Sequence, residues 1–295
     1  MIDPDDAIEV PFGRVPRGRR ITLDTGSQAF VRMSSPSAAG PPTLLLHGLG
    51  ATGALNWAAC FAPLSRTGQV AALDLRGHGR GPRVGNRFRL ADCADDAAAV
   101  IRALDAGPAV VMGYSMGGPI AQLLALRHPE LVTGLVLCAT ARDFRGRPAD
   151  RARFAAIGAL AAAARVGPRA LGPLLPALPG STRLTGWALA ELRGHEPTGV
   201  LAAAAALGRF SSRDWVGSLD VPTIVVVHER DRAVPPHRQQ KLAAAIPDAR
   251  VIALDVDHLG IAREPGRYVN TLLAARRQVT ARRSPAGTMV ERQTA

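Results

Sequence analysis

Val110-Val111-Met112-Gly113-Tyr114-Ser115-Met116-Gly117-Gly118 decides how the rest of this chain is read. An apolar run stops at Gly113, and Pro119-Ile120-Ala121-Gln122-Leu123-Leu124-Ala125-Leu126 continues at helical spacing. A strand that passes so abruptly into a helix leaves almost no room for side chains beside the turn, and glycine at 113 and 117 supplies that room. Ser115 is thereby held at the tip, hydroxyl outward, with the start of a helix behind it. A glycine-rich chain can produce G-x-S-x-G by chance. Its weight here comes from the strand before it, the helix after it and the partners found further along.

Working outward, the flanking chain alternates strand and helix. Short apolar stretches at 8–12, 21–23 and 29–33, separated by Gly, Pro and Arg, predict edge-type antiparallel strands. The run at 43–46 is continuous, as expected of a strand covered on both faces, and 70–74 predicts another short buried strand, with helical spacing over 54–64 between them. A loop rich in glycine and arginine, 75–87, leads into a helix predicted at 90–106. After the serine turn come a helix to His128 and a strand at 131–139. The pattern resumes with a strand over Thr223–His228, a helix at 235–246, a strand at 251–254 and a helix at 265–277. Such alternation implies a mostly parallel sheet with helices on both faces, binding its ligand beyond the carboxyl ends of the strands. Residues 142–215 differ: alanine-rich and punctuated by proline, they read as a helical insertion. The chain thus divides into a core of 1–141 and 216–278, an insertion of 142–215, and a flexible basic tail of 279–295.

The totals restrict the choice of function. At 295 residues the chain can bury one large core. Aromatics make up only 4%, so packing leans on Ala, Leu and Val. The formal charge of +12 raises a polyanion partner. However, the basic residues are arginines spread through the chain, Lys241 being the one lysine, and no aromatic-and-basic stripe accompanies them. Nucleic acid is therefore not an expected partner. Cys60, Cys93 and Cys138 are odd in number and lack metal spacing, which predicts buried thiols in a reducing compartment. The acidic start Met1-Ile2-Asp3-Pro4-Asp5-Asp6 is unlike a signal peptide, and no apolar run is long enough to span a bilayer. The expectation is a cytoplasmic protein with no membrane span.

A serine hydroxyl is a poor nucleophile at neutral pH. It needs a base within hydrogen-bond reach, and the base needs a third group to fix its tautomer. Here the chain resembles the α/β-hydrolase fold family, over about residues 25–140 and 217–275. The resemblance implies a mostly parallel eight-stranded sheet with helices on both faces and a helical cap at the insertion. In that family the triad follows in the order Ser, acid, His. Asp231, in Glu229-Arg230-Asp231-Arg232-Ala233-Val234-Pro235, matches the family's acid in its D-x-x-V-P loop, and His258, in Asp255-Val256-Asp257-His258-Leu259, matches its histidine. Glu229 competes with Asp231. In some members the acid follows the strand after the serine helix, which makes Asp143 a second alternative. Asp257 stands where the family often has glycine, and it either raises the pKa of the imidazole or faces solvent.

The oxyanion of acyl transfer needs preorganised donors. The N–H of Met116 lies at a helix N-terminus, where such groups lack intrahelical partners. By resemblance the second donor is the N–H of Leu49 in His47-Gly48-Leu49-Gly50, with His47 bracing the loop. The run Asp74-Leu75-Arg76-Gly77-His78-Gly79-Arg80-Gly81 resembles the family's D-x-R-G-x-G-x-S loop, with glycine in place of the serine, and reads as a structural brace. It has neither the ending of a P-loop nor the spacing of a dinucleotide fold.

A serine nucleophile points to attack on an acyl carbonyl, with no cofactor and no metal. The resemblance implies a serine hydrolase of an ester or thioester of a hydrophobic small molecule. The alternatives are a carbon–carbon hydrolase or an acyltransferase or perhydrolase with the same triad, and a hydrolase-fold binding protein with little turnover. The run 113–118 also resembles the turn of haloperoxidase-like esterases and meta-cleavage-product hydrolases, and does not choose among them. Phe154, Trp187 and Trp215 suggest an apolar cavity under the cap. Arg151, Arg153, Arg165, Arg169 and Arg183 either favour an acidic substrate such as a coenzyme-A thioester or face water. A homo-oligomer stays open.

Overall fold

The strands around Ser115 are buried at nearly every position because both their faces are covered. In the computed structural model, which describes residues 7–10, 13–24, 26–35, 39–85, 87–144, 146, 156, 159 and 186–281, β1 (Ala7–Val10) and β2 (Gly13–Pro16) form a separate hairpin. The main sheet contains β3 (Gly18–Thr22), β4 (Gln28–Met33), β5 (Thr43–Leu46), β6 (Val70–Leu73), β7 (Ala109–Tyr114), β8 (Val132–Cys138), β9 (Thr223–His228) and β10 (Arg250–Leu254). Its order is β10-β9-β8-β7-β5-β6-β4-β3. β4 pairs antiparallel with β3 and β6, and the other pairings are parallel. This is the mostly parallel eight-stranded sheet that the resemblance implies.

Helices α1 (Gly53–Trp57), α2 (Phe61–Ser65), α3 (Leu90–Leu104) and α4 (Gly117–Arg127) precede β8; α5 (Gly186–Arg193) and α6 (Pro197–Arg209) lie between β8 and β9. After β9 come α7 (Pro236–Ala243), α8 (Gly260–Arg263) and α9 (Pro265–Ala281). Side chains alternate across the sheet. Leu44, Leu46, Val111, Leu135, Leu137 and Val225 pack with residues of α3, α4, α6 and α7. Leu45, Val110, Met112, Val136 and Val226 pack with α1, α2 and α9. Burying each such side chain contributes about 1.5–3 kcal/mol before the entropy of ordering the chain is set against it.

Several boundaries depart from expectation for identifiable reasons. Of the stretch expected at 8–12, residues 8–10 belong to the separate hairpin, which does not join the main sheet, and 11–12 lie outside the described residues. The helix expected over 54–64 breaks into α1, a 3-10 turn at Ala58–Cys60, and α2. Pro63 has no N–H to give a carbonyl one turn back, which works against a continuous helix there. α3 stops at Leu104, where Asp105 turns left-handed with φ 49°. α9 runs on to Ala281, past the expected start of the tail, because Val279 is buried against Gly134 of β8. Residues 282–295 lie outside the described residues. So do Phe154 and Arg151, Arg153, Arg165, Arg169 and Arg183 of the insertion, whose described parts include α5 and α6.

The chain shortly after β8 meets the chain shortly before β9. Ser212 N–H donates to Arg142 O at 2.7 Å, and Ser212 Oγ–H reaches Gln122 Oε1 at 2.7 Å. The three cysteines are free and buried, and burial pushes their thiols up out of the reactive range. Among the described residues no helix is long and apolar enough to cross a membrane.

Candidate active site

β7 ends at Tyr114 and α4 begins at Gly117, so the chain reverses across two residues. Ser115 takes a left-handed φ of 51°, a conformation that costs a non-glycine residue roughly 1–3 kcal/mol. Hydrogen bonds hold it there. Its N–H donates to Cys138 O at 2.9 Å, and its carbonyl accepts from Gly118 N–H at 3.0 Å and Thr140 Oγ1–H at 2.8 Å. A Cβ on Gly113 would lie 2.4 Å from Gly117 O, and one on Gly117 would lie 2.2 Å from Leu46 O. Close backbone approach therefore demands both glycines.

Ser115 Oγ lies 3.1 Å from His258 Nε2, and His258 Nδ1 lies 2.6 Å from Asp231 Oδ2. A carboxylate at that distance requires the proton on Nδ1, which leaves the Nε2 lone pair to accept the serine hydroxyl. Asp231 follows β9 and is only 3% exposed. Its Oδ1 accepts the N–H groups of Ala233 and Val234 at 2.8 Å each, and Gln239 Nε2–H approaches Oδ2 at 3.4 Å. The carboxylate is thus locked in place by its own turn, with one oxygen left for the imidazole. The three residues singled out in the sequence are brought together in one hydrogen-bonded line.

Neither competing carboxylate holds the imidazole, which is bonded to Asp231. Glu229 is exposed. Asp143 pairs with Arg213 at 2.9 Å and Arg238 at 2.7 Å; burial raises its pKa, but the two guanidinium groups more than offset that and hold it below the ordinary value. Asp257 keeps a partly exposed side chain, in line with the solvent-facing alternative. Its Oδ1 accepts Leu259 N–H at 2.9 Å and its Oδ2 pairs with Arg263, so its charge is met by a cation on α8.

Behind His258 lies a buried network that the sequence reading passed over. Tyr114 O–H donates to the carbonyl of His258, and His228 Nδ1–H donates to the carbonyl of Asp257 at 3.0 Å. His228 Nε2 in turn accepts Tyr268 O–H at 3.2 Å. Burial lowers the His228 pKa to about 4, against a smaller opposing pull from Asp231, so the ring is neutral as this bonding requires. Tyr114 was the variable residue of G-x-S-x-G, and His228 the last residue of an apolar strand. A polar ring at the end of so apolar a run was the available signal.

On the other side of Ser115 runs His47-Gly48-Leu49-Gly50. His47 is fully buried, and burial holds its pKa well below the ordinary value, with His78 adding to the effect. Its Nε2 accepts Leu75 N–H at 2.9 Å and its Nδ1–H donates to Gly48 O at 2.8 Å, which is the bracing expected of it. Gly48 N–H donates to Asn56 Oδ1 at 3.0 Å, and a Cβ on Gly48 would lie 3.4 Å from Ser115 Cβ. The loop thus passes directly against the serine. Leu49 packs on the apolar cluster that includes Met116, Phe144 and Phe210. Met116 is the N-cap of α4, where the helix dipole favours negative charge.

The 74–81 loop is a brace, as expected. Asp74 accepts Gly53 N–H and Arg80 N–H at 2.9 Å each, and Arg76 grips Asp96 through two bonds of 2.6 and 2.7 Å. Gly81 replaces the serine of the resembled pattern where a Cβ would lie 2.3 Å from Asp74 O. Among the described residues no three His, Cys, Asp or Glu side chains gather as a metal site would require.

Comparison with known proteins agrees with this architecture. The alpha/beta hydrolase fold model matches residues 41–167. Over 235 residues the chain is 31% identical to the pimeloyl-acyl-carrier-protein methyl ester esterase of Neisseria meningitidis serogroup B, covering 76% of this chain and 87% of that protein. It is 30% identical over 240 residues to the magnesium-chelatase 30 kDa subunit of Rhodobacter capsulatus, covering 75% of this chain and 82% of that one. A hydrolase of known structure from Pseudomonas aeruginosa PA01 has a TM-score of 0.70 at 25% identity, over 88% of this chain and 97% of that one. The chain belongs to the α/β-hydrolase fold family and is a hydrolase of that fold.

Proposed function

We propose that this protein is a serine esterase or thioesterase acting on a hydrophobic acyl substrate through an acyl-enzyme. The observation that carries this reading is the line Ser115 Oγ, His258 Nε2, His258 Nδ1, Asp231 Oδ2, with separations of 3.1 and 2.6 Å, set on a strained turn. In the first step His258 takes the hydroxyl proton as Ser115 Oγ attacks the acyl carbon. Asp231 holds the tautomer and stabilises the imidazolium. The N–H groups of Leu49 and Met116 receive the developing oxyanion. His258 then gives its proton to the departing alcohol or thiol, and in the second half activates water against the ester on Ser115.

The segment between β8 and β9 forms the cap in this reading, and Leu49, with its apolar neighbours, supplies the wall against an acyl chain. The Neisseria relative, named for hydrolysing a methyl ester of a carrier-bound acyl group, supports an ester substrate, whereas the chelatase-subunit relative carries no ester in its name. A panel of p-nitrophenyl esters and acyl thioesters of increasing chain length tests the proposal. It predicts a burst of leaving group equal to one per Ser115, followed by slower turnover, with preference for longer acyl chains. No burst and no turnover with any acyl donor overturns it.

A further inference from the structure

The loop carrying Leu49 is held from outside the core by one histidine. His195 lies just after α5, in the segment between β8 and β9. Its Nδ1 accepts Gly79 N–H at 2.9 Å, so the ring carries its proton on Nε2, and that N–H donates to Gly50 O at 3.0 Å. The carbonyl of Gly50 and the N–H of Ala51 belong to one rigid peptide plane. Ala51 N–H donates to Gly48 O at 3.2 Å, and Gly48 O shares the next plane with the N–H of Leu49. Two peptide planes therefore connect His195 to the group read above as an oxyanion donor.

His195 is itself fixed with care. A Cβ on Gly194 would lie 2.9 Å from Gly79 O, so the two segments meet backbone to backbone. Glu196 N–H donates to Gly77 O at 3.0 Å, and Glu196 Oε2 accepts Val84 N–H at 2.8 Å. One turn before it, the buried Glu191 accepts from Arg32 at 2.8 Å, Arg80 at 3.0 Å and Thr52 Oγ1–H at 2.9 Å. The His78 ring packs edge-on between His195, at 5.4 Å, and His47, at 5.2 Å.

We propose that His195 is a positioning residue for the oxyanion hole: seating the inserted segment on the 77–84 loop aims the Leu49 N–H at the acyl oxygen. Seating and transition-state stabilisation are thereby coupled. The inference rests on the reading of Ser115 and Leu49 given above, and two kinds of measurement separate it from that reading.

The first is kinetic. Losing one oxyanion donor outright lowers kcat by about 10²–10³, and misaiming one costs part of that. His195→Ala is expected to lower kcat on a p-nitrophenyl ester by roughly 10- to 100-fold with KM little changed. Affinity for a trifluoromethyl ketone, which forms a tetrahedral adduct on serine, is expected to weaken in step with kcat. Glutamine can accept from Gly79 and donate to Gly50, so His195→Gln is expected to recover much of the loss. An unchanged kcat in His195→Ala, or a fall in kcat without weaker ketone binding, overturns the inference.

The second is amide exchange over Gly48–Ala51 in the intact chain, which needs no turnover. Exchange is expected to rise in His195→Ala and to return toward the parent rate in His195→Gln; unchanged exchange overturns the inference. If the exchange changes appear but the parent protein neither turns over esters nor binds the ketone, the Ser115 reading fails while the hold of His195 on the loop stands.

Discussion

The two loops that flank Ser115 are secured in different ways. The 255–259 loop, which delivers His258, is tied down by Tyr114 of β7 and His228 of β9, with Tyr268 of α9 behind them. All three belong to the sheet and its covering helices. The 47–50 loop is braced by His47 and Asn56 from the core, but its far carbonyl is held by His195, more than a hundred residues downstream in the inserted segment. The line Ser115–His258–Asp231 is thus held by contacts from the sheet and its covering helices. The loop at the opposite face of the serine has an additional contact from the segment between β8 and β9.

The largest expected effect lies on the core-held side. Asp231→Asn keeps the shape of the turn but offers imidazole the wrong partner, and kcat on a p-nitrophenyl ester is expected to fall by about 10⁴ while circular dichroism stays unchanged. On the other side, Glu191→Leu leaves Arg32, 3% exposed, as a buried charge without its carboxylate. Breaking a buried pair from one side costs about 3–5 kcal/mol. Faster amide exchange confined to α5 and the 77–84 loop, read alongside the denaturation midpoint, checks that loss; exchange raised equally around His258 would erase the contrast between the loops.

Acid should strain both sides. His228 and His78 are held neutral by burial, each with a pKa lowered from 6.5 to about 4. Between those values the unfolded chain binds protons that the folded chain refuses, so unfolding free energy falls as pH drops from 6.5 through 4. Each ring contributes on the order of 3 kcal/mol to that loss below pH 4. Urea titrations at steps of pH are expected to show it, with a shallower slope in His228→Gln. The smallest effect is Tyr114→Phe, which frees the carbonyl of His258. A fall in kcat of roughly tenfold, the worth of one hydrogen bond, with KM unchanged would show that this tether aims the ring.

The contrast between the loops also marks how far the sequence could be read. Ser115, Asp231 and His258 were legible because each lies just beyond an apolar strand, and a strand's end fixes where the next residues emerge. The brace at His47 and the internal pairing of Arg76 were legible for the same reason. What was not legible depends on long-range contact. His228 stands out as the polar end of an apolar run, but the run does not say what its ring will meet, and Glu191 and His195 lie in a segment without periodic relation to the sheet. Their partners Arg32, Thr52, Gly50 and Gly79 are brought near only by the way the insertion folds back. The split of the helix expected at 54–64 has a local signal in Pro63, whereas the extension of α9 to Ala281 depends on Val279 meeting the bare backbone of Gly134.

The central claim, that Ser115 is made reactive by His258, is tested most directly by labelling with a fluorophosphonate and locating the adduct by mass spectrometry. The account predicts one adduct per chain, on Ser115, absent from Ser115→Ala and formed roughly 10²-fold or more slowly in His258→Ala. An adduct on another residue, or labelling of Ser115 at an undiminished rate without the imidazole, would contradict it.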